Sequence, residues 1–324
     1  MLVRGVVFRL ASELPPEARF LLEDFRLAVN EAVRAGISSR ISSRFGLTKL
    51  VYKEFRAEHP GMYAQHIVSS FEVAASVLKN YRRRLRKSGS ARIPFVRRLM
   101  MKAENQAYKL DRARGVIDLP IRAGCHVELK LVVSQYHRKY LDDTALSLGA
   151  LTVLPDRVVV AFRKEDPRQV DSRSVVALDT NERCLDGVFV NGDSRAVVKV
   201  DYCDVAAIQQ LHHARRRRLQ EKKSHDRRTA RSLCRREGAR EHHRVESRMH
   251  QVANAVVRFA EDKRSVIVLE DLRGMRPAWS KDLNRRLGLW PRRKLHQIIE
   301  YKAAWKGIRV IKVDPAYSSR RCPI

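Results

Sequence analysis

The chain has 324 residues, enough for about two domains of ordinary size, and 44% of them are hydrophobic, so a full core can be buried. Lysine and arginine number 66 against 36 aspartate and glutamate, a formal net charge of +30 that a compact chain relieves most simply by binding a polyanion such as nucleic acid. There is no long apolar span and no clean basic amphipathic anchor, and five irregularly spaced cysteines (Cys125, Cys184, Cys203, Cys234, Cys322) argue against a disulfide framework and for a reducing, intracellular setting; with a nucleic-acid partner, a cytoplasmic, nucleoid-associated location is expected.

Leu2–Arg9 (LVRGVVFR) reads as a first strand; the opening MLVRGVVFRLASEL is too short and too charged for a signal peptide. Pro15-Pro16 opens a helical stretch to about Arg86, with apolar residues at helical spacing (Phe20, Leu21, Phe25, Leu27, Val29) and one break at His59-Pro60-Gly61. At its end, Arg82, Arg83, Arg84, Arg86 and Lys87 lie beside Tyr81, a set suited to holding a phosphate backbone and stacking a base. From about Gly115 the period becomes two: Val127, Leu129 and Leu131, then Val158, Val160 and Phe162. Several short strands fit a small β-barrel or open sheet, which the first strand can join, making the helices (about 17–100) an insertion in a β domain.

Glu165–Arg173 (EDPRQVDSR) reads as a linker, dividing the chain into domains 1–170 and 171–324. Three strands follow, Ser174–Thr180, Cys184–Asn191 and Arg195–Val200, then a long helical region from about Val205 to Asp262. Strand Ser265–Asp271, a polar loop with Pro277, a helix over Pro291–Lys306 and strand Ile308–Asp314 complete the order. Three adjacent strands, a helical connection, a strand, a helix and a strand match an α/β, RNase H-like layout.

Two of these strands, SVVALDT and SVIVLED, are unbroken apolar runs that stop on an acid, Asp179 and Glu270. Such runs suit central strands covered on both faces, and open α/β sheets place their chemistry at carboxyl strand ends. Phosphodiester cleavage uses Mg²⁺, whose hard oxygen ligands are carboxylates, so Asp179 and Glu270 are candidate catalytic metal ligands if their strands pair. Asp271 points the other way. The plain alternative is that each acid is a strand-end or turn residue.

Between His212 and His250 lie fourteen lysines or arginines and five acids. Arg215, Arg216, Arg217 and Arg218 form one run and Arg227-Arg228 another; helical spacing spreads them over a broad basic surface able to neutralise phosphates, the plain alternative being a solvated helical hairpin with a charged exterior. The region ends in an apolar stripe of Met249, Val252, Val256, Phe259 and Ala260. His212-His213 and His242-His243, among arginines, read as exposed helical residues, and His250 as a packing residue. Cys322-Pro-Ile is the front of a C-x-x-C knuckle, and one cysteine cannot hold a structural zinc.

Together these residues resemble the TnpB/OrfB family, RNA-guided nucleases of insertion sequences. ALDTN (Ala177–Asn181) and VIVLEDL (Val266–Leu272) are similar to its first two RuvC acid motifs, RMHQVANAVVRFA to the helix before the second, and EYKAAWKGIRVIKVDPAYSSRRCP (Glu300–Pro323) to the run into its zinc ribbon. The resemblance implies a β wedge domain with a helical recognition insertion, then a RuvC domain, a guide RNA, a duplex DNA target and Mg²⁺ on Asp179 and Glu270. In the family a third acid lies beyond the ribbon; Asp314 is no substitute. The sequence ends before both, so zinc is not expected here, Cys322 is expected to be an unoccupied remnant, and this polypeptide alone is expected to cleave little or no DNA. A non-catalytic RNA- or DNA-binding protein or repressor, and a basic structural protein, are the alternatives.

Overall fold

The computed structural model describes residues 1–122, 124–167, 172–272, 280 and 291–315, which fall into two units, Met1–Glu165 and Asp166–Ile324. In the first, β1 (Leu2–Arg9) precedes three helices, α1 (Pro16–Ser38), α2 (Arg44–Glu58) and α3 (Ala64–Ser88). Then come β2 (Met101–Ala103), β3 (Lys109–Asp111), β4 (Val116–Arg122), β5 (Cys125–Lys130), α4 (Gln135–Leu141), β6 (Ser147–Val153) and β7 (Arg157–Lys164). One sheet has the order β1-β7-β6-β2 and a second the order β3-β4-β5. The first strand does join the later ones: it runs antiparallel to β7 from Leu2↔Lys164 to Arg9↔Arg157, so the helices lie within a β unit. Period two holds where it was read, with Val158, Val160 and Phe162 fully buried.

The helical stretch has two breaks rather than one. The additional break, at 39–43, ends where Ser43 caps α2 by accepting the Gly46 N–H at 3.1 Å. Apolar spacing on α1 also mixes two faces, since Leu21, Phe25 and Val29 are buried while Phe20 is 65% exposed and Leu27 is exposed. Buried Asn30 on the same helix binds the segment after α3, donating to Val96 O (3.0 Å) and accepting from Val96 N (2.8 Å). Asn30→Ala removes both bonds and leaves two backbone groups without their partner, an expected loss of about 1–3 kcal/mol in chemical denaturation. An unchanged midpoint would show that the tether carries no stability.

The second unit contains β8 (Val175–Thr180), β9 (Cys184–Asn191), β10 (Ser194–Asp201), α5 (Asp204–Lys222), α6 (Arg227–Asp262), β11 (Val266–Glu270), α7 (Arg292–Trp305) and β12 (Val310–Val313). The sheet order is β10-β9-β8-β11-β12, with the first three strands antiparallel and β11 parallel to both β8 and β12. That is the RNase H-like arrangement expected from the element order. Val176, Leu178, Ile267 and Leu269 pack with Met249, Val252, Val256 and Ala260 of α6 and Leu295, Ile298 and Ile299 of α7.

One expectation fails here. β8 is not covered on both faces: Ala177 and Asp179 are exposed, and Val188 and Val197, in register with Ala177 across β9 and β10, are 40% and 87% exposed. Its run is continuous because the open face also carries small or apolar residues, so hydropathy alone misreads it. The long helical region is a hairpin of two helices joined at 223–226, where Asp226 caps α6 through the Thr229 N–H (2.9 Å). Among the described residues no helix is long and apolar enough to cross a membrane.

Candidate active site

β8 and β11 pair in parallel from Val266↔Val175 to Leu269↔Leu178, and the next residue on each strand is the acid. Leu178 and Leu269 point into the core, so Asp179 and Glu270 turn to the open face side by side. They lie close enough for the Asp179 carboxyl to act on Glu270. Partial burial, then the neighbouring Asp179 carboxyl, push Glu270 up to about 7. Two carboxyls held this close favour either a shared proton or a cation between them. Asp271 donates its backbone N–H to Val313 O at 2.7 Å, and its charge acts on His296 of α7.

A third carboxyl shares this face. The residues 181–183 between β8 and β9 fix the register Thr180↔Leu185 and Asp179↔Asp186, and directly opposed residues lie on one side of a sheet. Asp186 Oδ2 accepts from Asn181 Nδ2 (3.1 Å) and Cys184 Sγ (2.8 Å), and Oδ1 lies 4.0 Å from Lys199 Nζ. The bond to Asp186 pushes the Cys184 thiol up to about 11. Among the described residues no three His, Cys, Asp or Glu side chains form a metal-holding group, so Asp186 stands beside the pair with its oxygens already engaged. A short turn after an acid-tipped strand was the sequence signal for it.

Behind the pair, buried Thr180 and His296 share a 2.7 Å hydrogen bond between Oγ1 and Nε2. Burial, then the charge of Lys312, pushes His296 down to about 4. This bond ties the end of β8, next to Asp179, to α7. Nothing in the local sequence marks it, because the partners are 116 residues apart.

The basic residues fall into distinct environments. Arg82 donates to Ser42 Oγ at 2.7 Å and to Arg40 O, clasping the turn before α2, and Arg83 donates to Asn80 Oδ1 at 3.0 Å. Arg84, Arg86 and Lys87 are exposed. On the α5–α6 hairpin Arg216 pairs with Glu241, Arg217 with Glu221 at 3.1 Å, and Arg215 lies 3.5 Å from Glu237. Arg218, Arg227 and Arg228 are exposed with no carboxylate partner among the described residues. His212 is not exposed as expected; it is buried, its Nδ1 2.7 Å from Glu237 Oε1. A helical hairpin needs an interface, and this pair lies in it. His213, His242 and His243 are exposed. Cys322 lies outside the described residues.

Residues 293–324 match the family model "Cas12f1-like, TNB domain", and residues 21–117 match "Uncharacterized protein MJ0013 family". TnpB-like protein MJ0751 of Methanocaldococcus jannaschii is 28% identical over 208 residues, covering 61% of this chain and 74% of that protein. TnpB-like protein MJ1635 of the same organism is 26% identical over 269 residues, covering 81% of this chain and 61% of that protein. A Cas12f1 chain, solved by cryo-EM in a complex with sgRNA and target DNA, shares the fold with a TM-score of 0.62 at 14% identity, covering 94% of this chain and 74% of that one.

Proposed function

We propose that this chain, a member of the TnpB/OrfB family, is an RNA-guided DNA endonuclease whose catalytic carboxylates are Asp179 and Glu270, and that on its own it cuts weakly, because among the described residues no third metal-holding side chain joins the pair. The observation that carries the reading is the meeting of these two carboxyls at the carboxyl ends of adjacent parallel strands. Their oxygens are hard donors, and the burial and the neighbouring Asp179 carboxyl that lift Glu270 are both penalties on its charge that a divalent cation would offset, so this pair fits Mg²⁺. When bound, such an ion would supply charge stabilisation at the scissile phosphate and a more acidic water.

The chain's own residues do the rest. Asp179 and Glu270 hold the position and compete with protons for it. Thr180 and His296 keep the strand end in place from behind. Exposed Arg84, Arg86, Arg218, Arg227 and Arg228 face solvent and suit the phosphates of a guide RNA and a duplex DNA target. Arg82, Arg83, Arg215, Arg216 and Arg217 reach phosphates only by sharing or leaving their present partners. Sequence is then read by base pairing, and the protein reads backbone and shape.

The test is cleavage of a labelled duplex by the protein with the RNA transcribed beside its gene, with Mg²⁺ and with EDTA. Mg²⁺-dependent cutting directed by that RNA supports the reading. Tight binding without cutting favours the non-catalytic binder, and co-purified bulk ribosomal RNA favours a basic structural protein.

A further inference from the structure

Part of the positive charge on the α5–α6 hairpin converges on one place. A cleft of about 410 Å³ between the helices is lined by Arg215, Arg218, Lys222, Arg236 and Arg240, with Glu237 as its carboxylate. Five cations less one anion leave an excess of four. Glu237 is buried and engaged: Oε1 lies 2.7 Å from His212 Nδ1 and 3.5 Å from Arg215, and Oε2 lies 3.5 Å from Arg240. These contacts anchor Arg215 and Arg240. Arg218, Lys222 and Arg236 have no carboxylate partner among the described residues, and half-buried Leu219 and Leu233 supply an apolar wall. A second cleft on the hairpin, about 370 Å³, shares no lining residue with the first and has Lys223, Arg227 and Arg231 but no leucine.

Resting on the nucleic-acid partner proposed above, we infer that the first cleft seats one unstacked nucleotide of a single strand. Its base or sugar lies against Leu219 and Leu233, and its phosphates engage Arg218, Lys222 and Arg236. The volume falls within the roughly 300–1,000 Å³ of small-molecule sites. The apolar wall decides between strand types. A duplex keeps its base faces stacked and can offer only phosphates to the rim, whereas a single strand can present a base face. The site is separate from the acid pair, because none of its lining residues is on β8 or β11.

The test titrates the full chain with a labelled single-stranded RNA and with a duplex of the same length, at several salt concentrations. Arg218→Gln/Lys222→Gln/Arg236→Gln is expected to weaken single-strand binding about tenfold or more and to lower the salt slope by about 1.4, the two phosphates flanking the nucleotide at about 0.7 each. Lys223→Gln/Arg231→Gln/Arg235→Gln, which removes equal charge elsewhere on the hairpin, is expected to cost about threefold or less. Leu219→Ser/Leu233→Ser should weaken single-strand but not duplex binding, with circular dichroism confirming the helices. Equal losses in the two triple variants, or equal effects of the leucine changes on both RNAs, would overturn the cleft assignment alone. Failure of the unaltered protein to bind either RNA would overturn it together with the nucleic-acid reading.

Discussion

Gly187→Ala is expected to lower the melting temperature of the second unit by about 10 °C. Gly187 lies on β9 opposite Leu178, and a Cβ built there falls 1.9 Å from the Ala177 carbonyl oxygen and 2.9 Å from both the Ala177 carbonyl carbon and the Leu178 Cα. These are backbone atoms of β8, so no side-chain rotation relieves the overlap. The strands would have to separate at the pair next to Asp179↔Asp186, disturbing both the ladder and the acid site. Overpacking of this kind costs about 3 kcal/mol, and in a unit of this size each kcal/mol is worth about 2–4 °C. Thermal unfolding followed by circular dichroism reads the result. A shift of less than about 2 °C would mean that β8 and β9 do not approach this closely.

Asp179→Asn is expected to do the opposite to stability while abolishing cleavage. Losing one of two carboxylates removes several kcal/mol of cation-mediated stabilisation, and each 1.36 kcal/mol is a factor of ten, so whatever cutting the parent supports should fall about a thousandfold or to the background. Stability should not fall with it. Glu270 holds its proton to about 7 in the folded chain but only to about 4.5 when unfolded. The folded state therefore binds more protons across that window, and without metal its stability declines as pH rises from about 4.5 to about 7. Asparagine at 179 removes the facing charge, so the decline should flatten and the variant should be at least as stable as the parent at neutral pH. A quantitative cleavage assay paired with denaturation at pH 5 and pH 8 separates the outcomes. A parent that cuts measurably and a variant that cuts equally fast would remove Asp179 from the catalytic site.

What could be read from the sequence was what local pattern determines. Asp179 and Glu270 were visible because each ends an apolar run, and the succession of strands and helices suggested a layout in which those runs can pair, a pairing the sequence left conditional. The first strand's membership of the β unit was legible from period two. What was missed depends on partners distant in sequence or on faces that share a hydropathy. Asp186 needed the turn register, and Gly187 needed the separation of two backbones. His212 read as exposed because its neighbours are arginines, yet its partner Glu237 is 25 residues away on the opposing helix. The open side of β8 was hidden by Ala177, Val188 and Val197, apolar residues that face solvent. Among the arginines, a run of charge could not distinguish Arg216, tied to Glu241, from Arg218 two positions on.

The central claim is that Asp179 and Glu270 act as one unit at the ends of their strands. It is tested most directly by following the side-chain carboxyl of ¹³C-labelled Glu270 through a pH titration, in the unaltered protein and in Asp179→Asn, without metal and with Mg²⁺. The account predicts a midpoint near 7 in the metal-free parent, and a lower one when residue 179 is asparagine or when Mg²⁺ is added. A parent midpoint at the ordinary glutamate value, unmoved by the substitution and by Mg²⁺, would contradict it.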